Sequence, residues 1–159
     1  MTGKTHLTVA AATAVILYAT TAPQTPAPEL IGVATLAGLG GLLPDIDHKN
    51  SKISQSMKVT SAITRAISSH RGLFHTPLLW AIVGYLMTLA PYAEKWAPAV
   101  LIGIFSHLFL DMLNPMGIPL LWPAYRKKIH LLKIKTGGAI ENVICVAFPI
   151  ACATYFLTI

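Results

Sequence analysis

The chain is poor in charge. Of its 159 residues only 11% are Asp, Glu, Lys or Arg, less than half the roughly 25% of a soluble domain. Apolar types make up 54% and the mean hydropathy is +0.62, which sets a soluble globular enzyme aside and points to one membrane domain spanning residues 1–159. Acids are the scarcest charged groups, six against twelve Lys and Arg. Cysteine is nearly absent. Cys145 and Cys152 lie in one apolar run, which leaves neither a disulfide framework nor a thiolate zinc site. No internal repeat, low-complexity tract or cleavable signal stands out, and the first apolar run lacks a convincing small-x-small cleavage site. The basic residues flank apolar runs instead of lining one soluble face, which speaks against a nucleic-acid partner.

What is there is hydrophobic length. Five apolar stretches run Leu7 to Ala22, Leu30 to Leu43, Leu73 to Pro91, Ala97 to Leu113 and Ala139 to Ile159. A membrane helix needs about 20 residues, so the first two are short for a span. The connections alternate. Residues 23–29 hold no Lys or Arg, and the turn near Glu94 holds Lys95 alone. Residues 44–72 and 114–138 carry five basic residues each, and Lys4 precedes the first run, so 11 of the 12 basic residues share one side. The positive-inside rule makes that side cytoplasmic, with the N-terminus inside. Ile53, Met57, Thr60, Ile63 and Ile67 recur at three- and four-residue spacing, which predicts an amphipathic helix over 51–69 on the membrane surface or packed against the bundle. The prolines of 114–123 predict an irregular loop against the membrane, with Trp122 at the interface. The expected fold is all-α: a multi-pass helical membrane protein of about five apolar helices plus that surface helix.

The few acids and histidines gather at the same end. The second run stops on Leu42-Leu43-Pro44-Asp45-Ile46-Asp47-His48. His6 opens the first run, His70 and His75 bracket the start of the third, His107 and Asp111 lie late in the fourth, and Glu141 opens the fifth. Chance would send about half of such groups to the other face. His107 and Asp111 are four apart, so a helix presents both on one face, and ionisable groups within apolar helices are costly enough to imply function. His6 is weak on its own and gains from its position, and His130 stands among cations and is left out. Asp47 either ligates or orients His48. Glu141 ligates, acts as a general base, or caps the last helix. Arg71 either holds a phosphate oxygen or anchors at headgroup level. Imidazoles and carboxylates without thiolate suit zinc first, with manganese or iron as alternatives. The number of donors exceeds what one zinc takes, which points to two or more ions, or to one ion with catalytic partners.

Three segments, Leu42–Ser51 (LLPDIDHKNS), His70–Thr76 (HRGLFHT) and Ser106–Pro123 (SHLFLDMLNPMGIPLLWP), together with His6, resemble the YdjM-type inner-membrane proteins. The resemblance runs from His6 to about Glu141. One departure is Phe74, where relatives often carry a small polar residue. That family is described as membrane-bound metal-dependent hydrolases. The resemblance implies His6, Asp45, Asp47, His48, His70, His75, His107 and Asp111 as metal ligands, with Glu141 matching an acid near the last span. The HxxxD element is also similar to one in zinc-dependent phospholipase C enzymes, an analogy carried by a short stretch. The expected activity is hydrolysis of a phosphoester, in a lipid or lipid-linked substrate, at the cytoplasmic face of the inner membrane. Glu141, Asp47 and Arg71 are the expected catalytic groups. A non-catalytic metal-binding transporter or sensor is the alternative.

Overall fold

The computed structural model describes residues 1–47, 72–91 and 93–158. Within them lie five α-helices: α1 (Gly3–Thr21), α2 (Ala27–Gly40), α3 (Pro77–Thr88), α4 (Ala97–Met112) and α5 (Ala139–Phe156). Each of the five apolar runs thus forms a helix. The strand content of the described residues is one isolated antiparallel bridge, Ile118 to Ile129. Short 3₁₀ helices occupy Leu43–Asp47, Leu73–His75 and Ala93–Lys95. The surface helix expected over 51–69 lies outside the described residues.

Proline and threonine set the helix boundaries. Thr2 caps α1, its side chain accepting from the Thr5 N–H, which satisfies one of the orphan donors of the first turn. The third run is shorter as a helix than as an apolar stretch. Pro77 occupies the first position of α3 and Thr76 before it is extended, with ψ at 129°, as a residue preceding proline must be. Leu73–His75 is thereby cut off as a separate 3₁₀ turn, which carries His75 inward.

Among the described residues, α5 is the one helix long and apolar enough to cross a membrane, while α2, α3 and α4 have 14, 12 and 16 residues. Large apolar side chains are nevertheless exposed on several helices, including Ile82 and Leu86 of α3, Phe105 and Phe109 of α4, and Val143 and Ile150 of α5. Faces of this kind suit a lipid surround.

The interior is made of small residues. α1 packs on α2, α4 and α5, α2 packs also on α4, and α3 leans on α4. Ala14, Val33, Ala37 and Ala99 form the cluster where α1, α2 and α4 meet. A Cβ on Gly103 would overlap the carbonyl oxygen of Ala37, and one on Gly40 would overlap that of Val100. Such contacts let backbones approach closely, which is how helices associate where no hydrophobic effect separates helix from lipid. A larger apolar cluster of Trp80, Ile104, Leu108 and Ile118 joins α3, α4 and the segment after α4.

Candidate metal centre

The centre lies where α1 begins, α2 ends and α4 ends. Gly41 is its floor. Added bulk there would stand 2.8 Å from the Ala10 Cβ and 3.0 Å from the His6 carbonyl oxygen of α1, so only glycine lets the chain leave α2 this close to α1. The 3₁₀ turn Leu43–Asp47 follows, with Pro44 fully buried, and it carries Asp45 over the helix ends.

Four side chains meet there with 0% residue exposure: His6, His75, His107 and Asp111. The His6 ring stacks on His107 at 3.7 Å between centroids and an 18° interplanar angle, and His75 stands edge-on to His107 at 5.4 Å. Asp111 reaches all three rings: Oδ1 is 3.5 Å from His6 Nε2, and Oδ2 is 3.5 Å from His75 Nε2 and 3.7 Å from His107 Nε2. Asp45 Oδ1 lies 3.7 Å from His75 Nε2 and 3.9 Å from His107 Nε2, and its side chain keeps 17% exposure. The nitrogen of Met1 also bonds Asp111 Oδ1 at 2.7 Å. Burial pushes the Asp45 carboxyl up, but the neighbouring His75, with His107 and His6, outweighs it and holds the group below the usual carboxylate range.

The tautomer of His107 follows from its partner. Nδ1 lies 2.6 Å from the Gly41 carbonyl oxygen. A carbonyl only accepts, so Nδ1 carries the proton and donates, and in the neutral ring Nε2 presents its lone pair to the two carboxylates. A backbone carbonyl behind a ligating imidazole is the usual orienting partner.

Two sets of donors are close enough to share an ion, His6 with Asp45 and His107, and His75 with His107 and Asp111, the candidate ligand atoms of each set lying within 4.8 Å of one another. Bonds of zinc length at a tetrahedral angle separate ligand atoms by about 3.4 Å; the observed 3.5–3.9 Å pairs are slightly wider. Both ring nitrogens of His6 and Nε2 of His107 have no hydrogen-bond partner among the described residues. Buried unpaired nitrogens are costly, and a cation would supply a partner for their lone pairs. The donor set fits a divalent metal.

Five of the residues singled out from sequence, His6, Asp45, His75, His107 and Asp111, are thus brought together. Glu141 is engaged elsewhere. Its Oε1 accepts from the Thr2 N–H and from Thr5 Oγ1 at 2.8 Å, and its Oε2 accepts from the Gly137 N–H at 2.7 Å. It sits in the first turn of α5 and clamps that helix start to the first turn of α1, the geometry of a cap. Asp47 has its backbone in the 3₁₀ turn, and its side chain lies outside the described residues, as do His48, His70 and Arg71. Sequence reasoning missed the Gly41 carbonyl and the part played by 114–138. The small residues Ala37 and Gly41, in α2 and at its C-cap, and Ala99 and Gly103 of α4, each pair spaced four apart, were the available signal for the first.

No solved structure matches the chain significantly. It is 36% identical to the inner membrane protein YdjM of Escherichia coli (strain K12), over 92% of this chain and 79% of that one. The YdjM of Shigella flexneri gives the same values. It is 31% identical to the uncharacterized protein YvsG of Bacillus subtilis (strain 168), over 98% of this chain and 94% of the relative. With residues 1–158 matching the family as a whole, the chain belongs to the YdjM inner membrane protein family.

Proposed function

We propose that the protein is a multi-pass, membrane-bound, metal-dependent hydrolase acting on a phosphoester of a lipid or lipid-linked substrate at the cytoplasmic face. The observation that carries this reading is the convergence of three imidazoles and two carboxylates at one end of an apolar bundle, with both His6 ring nitrogens and His107 Nε2 lacking a hydrogen-bond partner among the described residues. The orientation rests on the side that holds 11 of the 12 basic residues. A bound divalent ion, zinc first, with manganese or iron as alternatives, supplies Lewis acidity and an acidified water. His6 with Asp45 and His107, or His75 with His107 and Asp111, would hold it. The Gly41 carbonyl keeps the His107 ring turned so that Nε2 faces the carboxylates. Asp45, the most open of these donors, lines the approach for substrate. Glu141 holds the start of α1, and with it His6, in register; as a general base it would first have to release its three donors. Arg71, Asp47, His48 and His70 complete the proposal from sequence, the first as a phosphate contact and the others as further ligands.

One observation favours a second reading, a non-catalytic metal-binding membrane protein such as a sensor or transporter. Four of the five donors are fully buried, and closed sites are characteristic of structural metals. The deciding experiment is elemental mass spectrometry of the detergent-purified protein beside a His107→Ala/Asp111→Ala variant, followed by a phosphoester screen of both. Stoichiometric metal lost in the variant, with hydrolysis lost in parallel, is the expected result. Stoichiometric metal without turnover of any phosphoester leaves the sensor reading. Wild-type protein that takes up no metal after reconstitution with zinc or manganese overturns both.

A further inference from the structure

The segment joining α4 to α5 has two faces. Its inner face closes the bundle end. Ile118 and Pro119 are fully buried, Ile118 within the Trp80, Ile104 and Leu108 cluster, and Ile134 packs with Met1 and Leu110. The segment is held along its length. The Leu131 N–H bonds the Met112 carbonyl at 2.7 Å and the Ile134 N–H bonds that of Leu113 at 2.9 Å. Ile118 and Ile129 exchange bonds of 3.0 and 2.9 Å, and the Thr76 hydroxyl reaches the Leu120 carbonyl. Asn114 ties the start to the end through Ile134 and Thr136.

The outer face has a different composition. Arg126, Lys127, Lys128, Lys133 and Lys135 are all exposed, and no Asp or Glu occurs between Met112 and Ile140. Leu121, Leu131 and Leu132 lie among them with 64%, 55% and 52% exposure. Three leucines this exposed among five cations make an amphipathic surface. Such a surface suits a headgroup boundary, where leucines enter the acyl region and cations stay with the phosphates. The position agrees. The basic residues end four positions before α5 begins at Ala139, and α5 is the helix apolar and long enough to span. A basic cluster immediately outside a spanning helix is attracted to anionic lipid.

We propose that the outer face of residues 121–135 is a docking surface for anionic phospholipid, its cations on headgroup phosphates and its leucines in the acyl boundary. This does not depend on the metal chemistry. The test uses the full chain, delipidated in an uncharged detergent and titrated with phosphatidylglycerol, with phosphatidylcholine of the same chains, with glycerol 3-phosphate, and with a DNA duplex. At roughly fivefold per surface charge, removing three charges weakens binding on the order of a hundredfold. The expected result is tight phosphatidylglycerol binding that is salt-sensitive. Arg126→Gln/Lys127→Gln/Lys128→Gln weakens it by that factor, and Leu131→Ser/Leu132→Ser weakens binding of both lipids. Equal affinity for the two lipids, or a phosphatidylglycerol preference that survives the triple substitution, overturns the proposal. So does glycerol 3-phosphate or the duplex binding as tightly as phosphatidylglycerol, which would make the face a small-anion or nucleic-acid site. Thermal unfolding and helical circular dichroism of each variant report whether the bundle is intact. A variant that keeps both and loses lipid has lost the surface alone, and failure of the hydrolase reading leaves this result untouched.

Discussion

Gly103→Ala probes the support of the metal centre at a residue that touches no proposed ligand atom. The added Cβ would overlap the Ala37 carbonyl oxygen and stand 2.8 Å from the Gly41 nitrogen. Neither obstacle is a flexible side chain, so α2 and α4 must part by about 1 Å, and overpacking of this kind costs about 1–3 kcal/mol. The same separation, directed along the 2.6 Å contact between His107 Nδ1 and the Gly41 carbonyl, takes it to about 3.6 Å, beyond hydrogen-bonding range. His107 then loses the partner that sets its tautomer and ring plane, and loss of such a partner weakens metal binding about 10- to 100-fold. The assay is zinc affinity by competition with a chromophoric chelator, beside thermal unfolding in detergent. Gly84→Ala is the control. Its Cβ would stand 2.9 Å from Leu101 Cδ1, the end of a side chain that can rotate, on a residue six positions before His107 in α4. The reasoning predicts a lowered Tm for both variants and lowered zinc affinity for Gly103→Ala alone. Gly103→Ala with wild-type zinc affinity would refute it, because the crossing would then not be what positions His107.

Glu141→Gln keeps the shape but replaces a charged acceptor with a group that points a donor at donors; loss of charge-assisted bonds costs about 2–3 kcal/mol, so Tm falls while metal content stays at the wild-type level. Metal lost with Tm unchanged would make Glu141 a ligand instead of a cap. Asn114→Ala removes the bonds to Ile134 and Thr136 and leaves the Met116 N–H without its side-chain acceptor. At about 1–3 kcal/mol for an unsatisfied buried group, trypsin should cut at Arg126–Lys128 roughly five- to hundredfold faster through local opening, and an unchanged rate would show that the segment is held by its inner face alone.

The helices were legible because apolar runs bounded by proline and polar turns leave few alternatives. The start of α3 was less so. Leu73, Phe74 and His75 belong to an apolar run, and only the demand of Pro77 for an extended Thr76 detaches them into the turn that buries His75. The His107–Asp111 pair was readable from spacing alone, whereas His6, Asp45 and His75 became a cluster only through the shared end of the runs. Glu141 shows the limit. Its main partners, Thr2 and Thr5, are distant in sequence, and threonines carry no signal that a carboxylate awaits them. The Gly41 carbonyl was invisible for a deeper reason: every residue has one, and what distinguishes this one is the close helix crossing that exposes it to His107.

The number of ions is constrained by the same hydrogen bond. His107 belongs to both donor sets, yet with Nδ1 committed to the Gly41 carbonyl it has one lone pair left, and one imidazole nitrogen binds one ion. The two sets cannot both be complete. Asp111 and Asp45 have two oxygens each and approach more than one ring, so a second ion would be joined to the first through a carboxylate, with histidines divided between them. That division still gives each ion the three protein ligands that zinc takes at least, with His6, Asp45 and Asp111 Oδ1 around one and His75, His107 and Asp111 Oδ2 around the other. One equivalent of metal in the purified protein therefore means that the buried donors act as alternatives around a single position. Two equivalents mean that Asp111 bridges two positions and the histidines divide between them.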